Sequence, residues 1–252
     1  MPNDDDSVSL NKYISGTGIC SRREADKLIQ EGRVTINGLK AISGNRVLPN
    51  DDVKINGKAL RNAEQPVYIA FNKPVGVTCT TDTKDKTSII TFIKHPKRIF
   101  PIGRLDKPSE GLIFLTNDGD IVNKILRAGN NHEKEYLVQV NRRITSDFVR
   151  KMSNGLPILG TVTRPCVVRK EGDYMFSIIL TQGLNRQIRR MCEFLGYEVT
   201  RLRRERIMNI TLDDLKVGSW RDLTRYEMAD IHRLVANSVK TEEASYLDGD
   251  ID

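Results

Sequence analysis

The chain has 252 residues, 38% of them hydrophobic, enough to bury a sizeable core and to build two domains. Its net charge of +7 is uneven, with −3 in residues 1–6 and −4 in residues 236–252, which leaves the body between them at +14. A body that basic points to a polyanionic partner, nucleic acid above all, with an incidentally basic enzyme as the alternative; no apolar run approaches the ~20 residues of a membrane span, so a membrane role is not expected.

The acidic opening Asn3-Asp4-Asp5-Asp6 is the opposite of a signal peptide's basic start, so a cytoplasmic protein is expected. Residues 8–60 read as a small unit of two helices and a hairpin. Ser21-Arg22-Arg23-Glu24 is a capping box, and Ala25, Leu28 and Ile29 behind it form an apolar stripe at helical spacing that Gly32 ends. Val34-Thr35-Ile36 and Val53-Lys54-Ile55 alternate like strands, each followed by Asn-Gly, a tight-turn signal. Arg22 and Arg23 fall in the first helical turn, where the dipole disfavours positive charge. Phosphates would relieve that conflict; a plain solvated face is the other reading. Residues 61–66 are polar, end in Pro66 and read as a linker.

From residue 67 to 236 short apolar segments recur at 67–71, 113–116, 136–140 and 175–181, and these predict strands with helices between and after them. Residues 103–112, Gly-Arg-Leu-Asp-Lys-Pro-Ser-Glu-Gly-Leu, set Asp106 between two apolar segments with a glycine on either side. A carboxylate so placed is a candidate reactive group; a turn aspartate capping its own backbone is the alternative. Asn185 is the expected cap of a helix with Ile188, Met191, Cys192 and Leu195 on its apolar face, ended by Gly196. The last helix opens on a second capping box, Thr224-Arg225-Tyr226-Glu227, and would bury Met228, Ile231, Leu234 and Val235. Residues 237–252 read as a disordered acidic tail.

GRLDKPSEGL at 103–112, FNKPVGV at 71–77, KEYLV at 134–138 and GLNRQIRRM at 183–191 stand in the order and spacing of one family. The chain resembles the bacterial ribosomal RNA pseudouridine synthases, and its first sixty residues resemble the S4 RNA-binding domain. LRAGNNHEKEYLV, GLPILGTV and, more weakly, RERIMN resemble the group F enzymes that act on 23S ribosomal RNA. The resemblance spans roughly residues 8–235. It implies an α+β architecture: an S4 domain joined to a catalytic domain built on a mixed, largely antiparallel sheet.

The same resemblance implies that uridine is isomerised to pseudouridine, a reaction in which bonds broken and made balance, so no cofactor is expected. Asp106 would match the family's catalytic aspartate, as nucleophile or as base at C2′. Tyr136 would match the tyrosine that stacks on uracil, although alone it reads as a core aromatic. Arg189 would match the arginine that pairs with the aspartate, although alone it reads as an exposed helix arginine. Pro108 departs from the family, whose close members usually carry Asp there. The expected substrate is 23S ribosomal RNA or its precursor, with 16S ribosomal RNA or tRNA as alternatives, and a monomer is expected. A binder that kept the fold without the chemistry is the reading from another class; an intact Asp, Tyr and Arg set argues against it.

Seven arginines crowd into residues 186–206. Arg186, Arg190, Arg201, Arg203, Arg204 and Arg206, with Arg104, Arg22 and Arg23, are the expected phosphate contacts. Cys20, Cys79, Cys166 and Cys192 form no CxxC pair, and His95, His132 and His232 are scattered, so no metal site is expected.

Overall fold

The computed structural model describes residues 6–60, 64–126 and 131–236. Most of the expected linker's start, residues 61–63, and the expected acidic tail therefore lie outside the described residues. The chain divides into two compact units. One reaches Pro66 and takes in His95–Arg98; the other holds Val67–Lys94 and everything from Ile99 onward.

In the first unit, helices Leu10–Gly16 and Arg22–Gln30 pack by Leu10, Ile14, Ala25 and Ile29 onto Val34, Val47 and Val53. The capping box forms in both directions: Glu24 N donates to Ser21 Oγ at 3.2 Å, and Ser21 N to Glu24 Oε2 at 2.6 Å. Strands Val34–Ile36 and Val53–Ile55 pair with each other, and each carries a two-residue partner strand, Leu39–Lys40 and Lys58–Ala59. Both Asn-Gly turns hold two consecutive positive φ values, 51° and 83° at 37–38, 51° and 74° at 56–57. That is the type I′ geometry which matches strand twist. One expected hairpin is thus a four-stranded sheet, because two-residue strands are too short to show alternation.

The second unit is built on a mixed sheet, nine-stranded among the described residues. Along it run Val167–Lys170, Met175–Leu180, Lys134–Val140, Val199–Ile207, Glu110–Thr116, Tyr68–Lys73 and Trp220–Asp222. The neighbours pair antiparallel except Val199–Ile207 with Glu110–Thr116, which run parallel with Arg203 opposite Glu110 and Arg204 opposite Gly111. Phe148, Met152, Phe176, Ile178, Met191 and Cys192 form the core beside one half of the sheet. Two further clusters, around Phe114 with Ile231 and around Phe71 with Ile113, cover the two faces of the other half. Glu110–Thr116 is buried at every residue, as the continuous apolar run in its sequence requires.

Two expectations need correcting. The helix Gln187–Phe194 is capped not by Asn185 but by Arg186, in the left-handed region at φ 49°. Asn185 instead accepts from Arg190 through its carbonyl and its side-chain oxygen. In Arg225–Val235 the second capping box forms as expected, but Leu234 stays 44% exposed, so the buried stripe is narrower than the spacing suggested. No helix of the described residues is long and apolar enough to cross a membrane.

Candidate active site

The parallel junction positions the site. Strand Phe100–Ile102 ends in a loop whose Leu105 is buried, its N–H 3.4 Å from Cys79 Sγ, while the Asp106 side chain remains one-third exposed. Asp106 O accepts from Ser109 N at 2.9 Å, which closes the turn, and Lys107 O accepts from Gly76 N at 2.8 Å. The 74–77 segment is itself held from within. Lys73 is fully buried and its Nζ donates to Pro74 O at 3.0 Å and Val77 O at 2.8 Å. Burial pulls the Lys73 ammonium below its ordinary pKa, and the nearby Cys79 and Asp106 oppose that pull. The loop is therefore stapled at two points, and its carboxylate is aimed by backbone.

Arg189 reaches this loop from the helix Gln187–Phe194. Its Nε lies 3.5 Å from Asp106 Oδ2 and makes no hydrogen bond, so the contact is an ion pair rather than an aligned bond. Nη2 donates to Ser109 Oγ at 3.0 Å and Nη1 to Val199 O at 3.3 Å, which fixes the guanidinium. Pro108 contributes only its carbonyl, 3.5 Å from Nη2. Burial lowers the Arg189 pKa, and the Asp106 charge works against that. Arg186 Nη1 is a second cation, 3.9 Å from the same oxygen.

Tyr136 is half-buried at the middle of the sheet, opposite Arg204 on one neighbouring strand and Ile178 on the other. It packs against two core clusters, one of which contains Leu105, the residue before Asp106. The Arg204 guanidinium lies 5.9 Å from the ring centroid, with Nη1 3.5 Å from the hydroxyl.

The arginine run behaves differently from its sequence. Arg204 is 3% exposed and donates from Nε to Leu112 O at 2.6 Å. It lies against Tyr136, and its burial sets it apart from the exposed arginines expected to contact phosphate. Arg206 is likewise committed, to Glu133 and Glu135 at 2.9 Å each and to Met208 O. Arg201 pairs with Glu110, although its side chain is more than half exposed, and Arg203 lies 3.1 Å from Glu205. Glu110, Glu133 and Glu135, far away in sequence, thus neutralise Arg201 and Arg206, while Glu205 within the run pairs with Arg203. Arg104 and Arg186 are exposed, Arg190 is half-buried, and Arg22 and Arg23 are exposed on the first unit.

Sequence reasoning missed Ser109, which orients Arg189, and Lys134, which is buried two residues before Tyr136 on the same strand. Burial pushes the Lys134 ammonium down to about 8 from 10.5, with the Arg204 charge adding to the effect. Below pH ~8 the folded chain keeps a buried charge that the unfolded chain would hydrate. Between about 8 and 10.5 the unfolded chain holds the extra proton, so this penalty fades as pH rises. Lys134→Met is therefore expected to raise the thermal midpoint near pH 7 and to gain much less near pH 10. Equal gains in melts at the two pH values would contradict the assignment.

Known proteins resemble this chain in sequence and fold. The RNA pseudouridylate synthase family profile matches residues 67–194 and the S4 domain profile matches residues 8–53. The dual-specificity RNA pseudouridine synthase RluF of Escherichia coli K12 is 59% identical over 236 residues, covering 93% of this chain and 81% of the relative. Ribosomal large subunit pseudouridine synthase B of Bacillus subtilis is 35% identical, covering 89% of this chain and 96% of the relative. A crystal structure of a pseudouridylate synthase superposes with a TM-score of 0.66 at 29% identity, covering 90% of this chain and 99% of the other.

Proposed function

The chain belongs to the RNA pseudouridine synthase family and is an isomerase acting on RNA, and we propose that Asp106, Tyr136 and Arg189 carry its chemistry on 23S ribosomal RNA. The observation that supports this most is the Asp106 carboxylate, a third exposed, held by backbone bonds beside two guanidinium groups. The reaction breaks C1′–N1, turns the base, joins C1′ to C5 and moves the C5 proton away as N1 regains one. Asp106 supplies the carboxylate, as nucleophile at C1′ or as base at C2′. Arg189 and Arg186 lie beside it and aim it. Tyr136 gives the flipped uracil a face to stack on, and its hydroxyl assists the proton transfer. A cytoplasmic enzyme fits a ribosomal RNA substrate.

A relative described as dual-specificity favours a second reading, in which the same site acts on a second class of RNA, with tRNA as the candidate. Isomerisation expels the hydrogen at C5, so transcripts labelled with tritium at C5 of uridine release counts as they react. Purified protein with labelled 23S, 16S and tRNA transcripts separates the readings. Release from 23S supports the proposal, added release from tRNA supports the second reading, and release from 16S alone would overturn both.

Tyr136 can be tested by shape. Tyr136→Phe keeps the stacking face and Tyr136→Leu removes it, at a cost of ~1–3 kcal/mol in base binding. Phe is expected to bind RNA like wild type but turn over more slowly, and Leu to lose both. A Phe variant as fast as wild type would reduce the residue to a platform.

Arg22 and Arg23, exposed beside the Ser21 cap, are proposed phosphate contacts of the S4 unit. Replacing both with Ala is expected to weaken RNA binding and flatten its salt dependence by roughly 0.7–0.9 log unit per lost contact. An unchanged slope in a salt titration would show a plain solvated face.

A further inference from the structure

Arg186, Arg190 and Phe194 follow one another at four-residue steps, so the cap and the helix Gln187–Phe194 carry them on one face. The face begins beside the reacting carboxylate, with Arg186 Nη1 3.9 Å from Asp106 Oδ2, and ends about 12 Å away by helix rise. At that far end Phe194 is 55% exposed and lines an open groove of about 250 Å³ with Ile158, Leu159, Arg190 and Glu193. The opposite wall is the hairpin of Pro157–Ile158 with Thr161–Val162, where Leu159 is 50% and Val162 65% exposed.

The hairpin tip carries a second, independent peculiarity. Leu159 has φ 50° and Gly160 φ 71°, a turn in which the first position ordinarily holds Asn, Asp or Gly. A leucine there is strained, and being half-exposed it recovers little of that cost by packing. Backbone strain of this kind marks places where a side chain serves something other than folding. Arg190 is meanwhile steadied by two bonds to Asn185, at 3.1 and 3.3 Å, with its charge at the edge of the groove.

We propose that this groove is a nucleobase subsite. An unpaired base of the RNA strand flanking the target uridine stacks between Phe194 and Leu159, and its backbone phosphate lies on Arg186 and Arg190. An apolar or aromatic platform beside guanidinium groups is how single-stranded bases are held without an obligatory sequence code. Glu193 at the rim is an acceptor for an exocyclic amino group, so the subsite favours an amino-bearing base over uracil. The subsite makes the enzyme choose uridines in loops or bulges with an unpaired neighbour. It rests on Asp106 as the reacting carboxylate.

Leu159→Asn gives a clean test, because Asn accepts the left-handed conformation and leaves the fold as stable or more so. Phe194→Ala removes the other wall from an exposed position. Tritium release from labelled 23S transcript is expected to show KM raised about tenfold in each variant, with kcat within twofold and no fall in thermal midpoint. Abasic replacement of flanking nucleotides, one at a time in a short RNA carrying the target, is expected to find one position that raises KM for wild type and not for Leu159→Asn. Unchanged KM in both variants, or a loss confined to kcat, overturns the subsite. Failure of the catalytic reading shows separately, as tritium release that survives Asp106→Asn.

Discussion

Asp106→Asn is expected to cut tritium release by at least ~10⁴-fold while RNA affinity stays within a few fold. The amide is nearly the same size and keeps the backbone turn that Ser109 N makes to the residue's carbonyl. Arg189 loses its ion pair but retains Ser109 Oγ and Val199 O, and for so exposed a carboxylate that loss amounts to about 1 kcal/mol or less. What disappears is the negative charge, and with it the nucleophilicity and basicity that either route requires. Affinity is held by other groups, and removing a carboxylate next to RNA phosphates does not weaken it. Release at a tenth of the wild-type rate would exclude Asp106 as the reacting group.

Gly111→Ala is expected to destabilise the second unit by at least ~3 kcal/mol, read as the shift of a urea unfolding curve. Gly111 sits at φ 108°, where a side chain is strained in any surroundings. Its Cβ would also run into the Arg204 backbone, only 2.6 Å from the nitrogen and closer still to the carbonyl oxygen. Neither obstacle can swing aside, because Arg204 is in the parallel strand whose register defines the junction. Forcing the strands apart also moves Arg204, and Tyr136 paired with it, away from Leu112 and the strand that follows the Asp106 loop, so activity should fall with stability. A shift below about 1 kcal/mol would mean that the close approach is not essential to the fold.

These two residues show what the sequence made legible. Local signals translated directly: both capping boxes, both Asn-Gly turns and the central strands lie where spacing put them, since each is decided within a few residues. Asp106 was visible because the glycines around it break a continuous apolar run. The reason for Gly111 was not visible, because its constraint comes from a strand ninety residues away. Long-range pairing also explains the arginines. Arg201, Arg204 and Arg206 looked free for phosphate, and their partners Glu110, Leu112 and Glu135 are neighbours only across the sheet. Asn185 misled for a different reason. It has the cap's chemistry, but the chain takes the left-handed conformation one residue later, at Arg186. That same turn carries the Arg186 guanidinium to 3.9 Å from Asp106, so the local irregularity coincides with the candidate site.

The most direct test of the account is to map pseudouridines in total RNA from a strain lacking this gene, complemented with wild type or with Asp106→Asn at equal protein levels. The account predicts that deletion removes pseudouridine from a site in 23S ribosomal RNA, that wild type restores it, and that Asn does not. Restoration by Asp106→Asn, or an RNA whose pseudouridines are unchanged by the deletion, would contradict it.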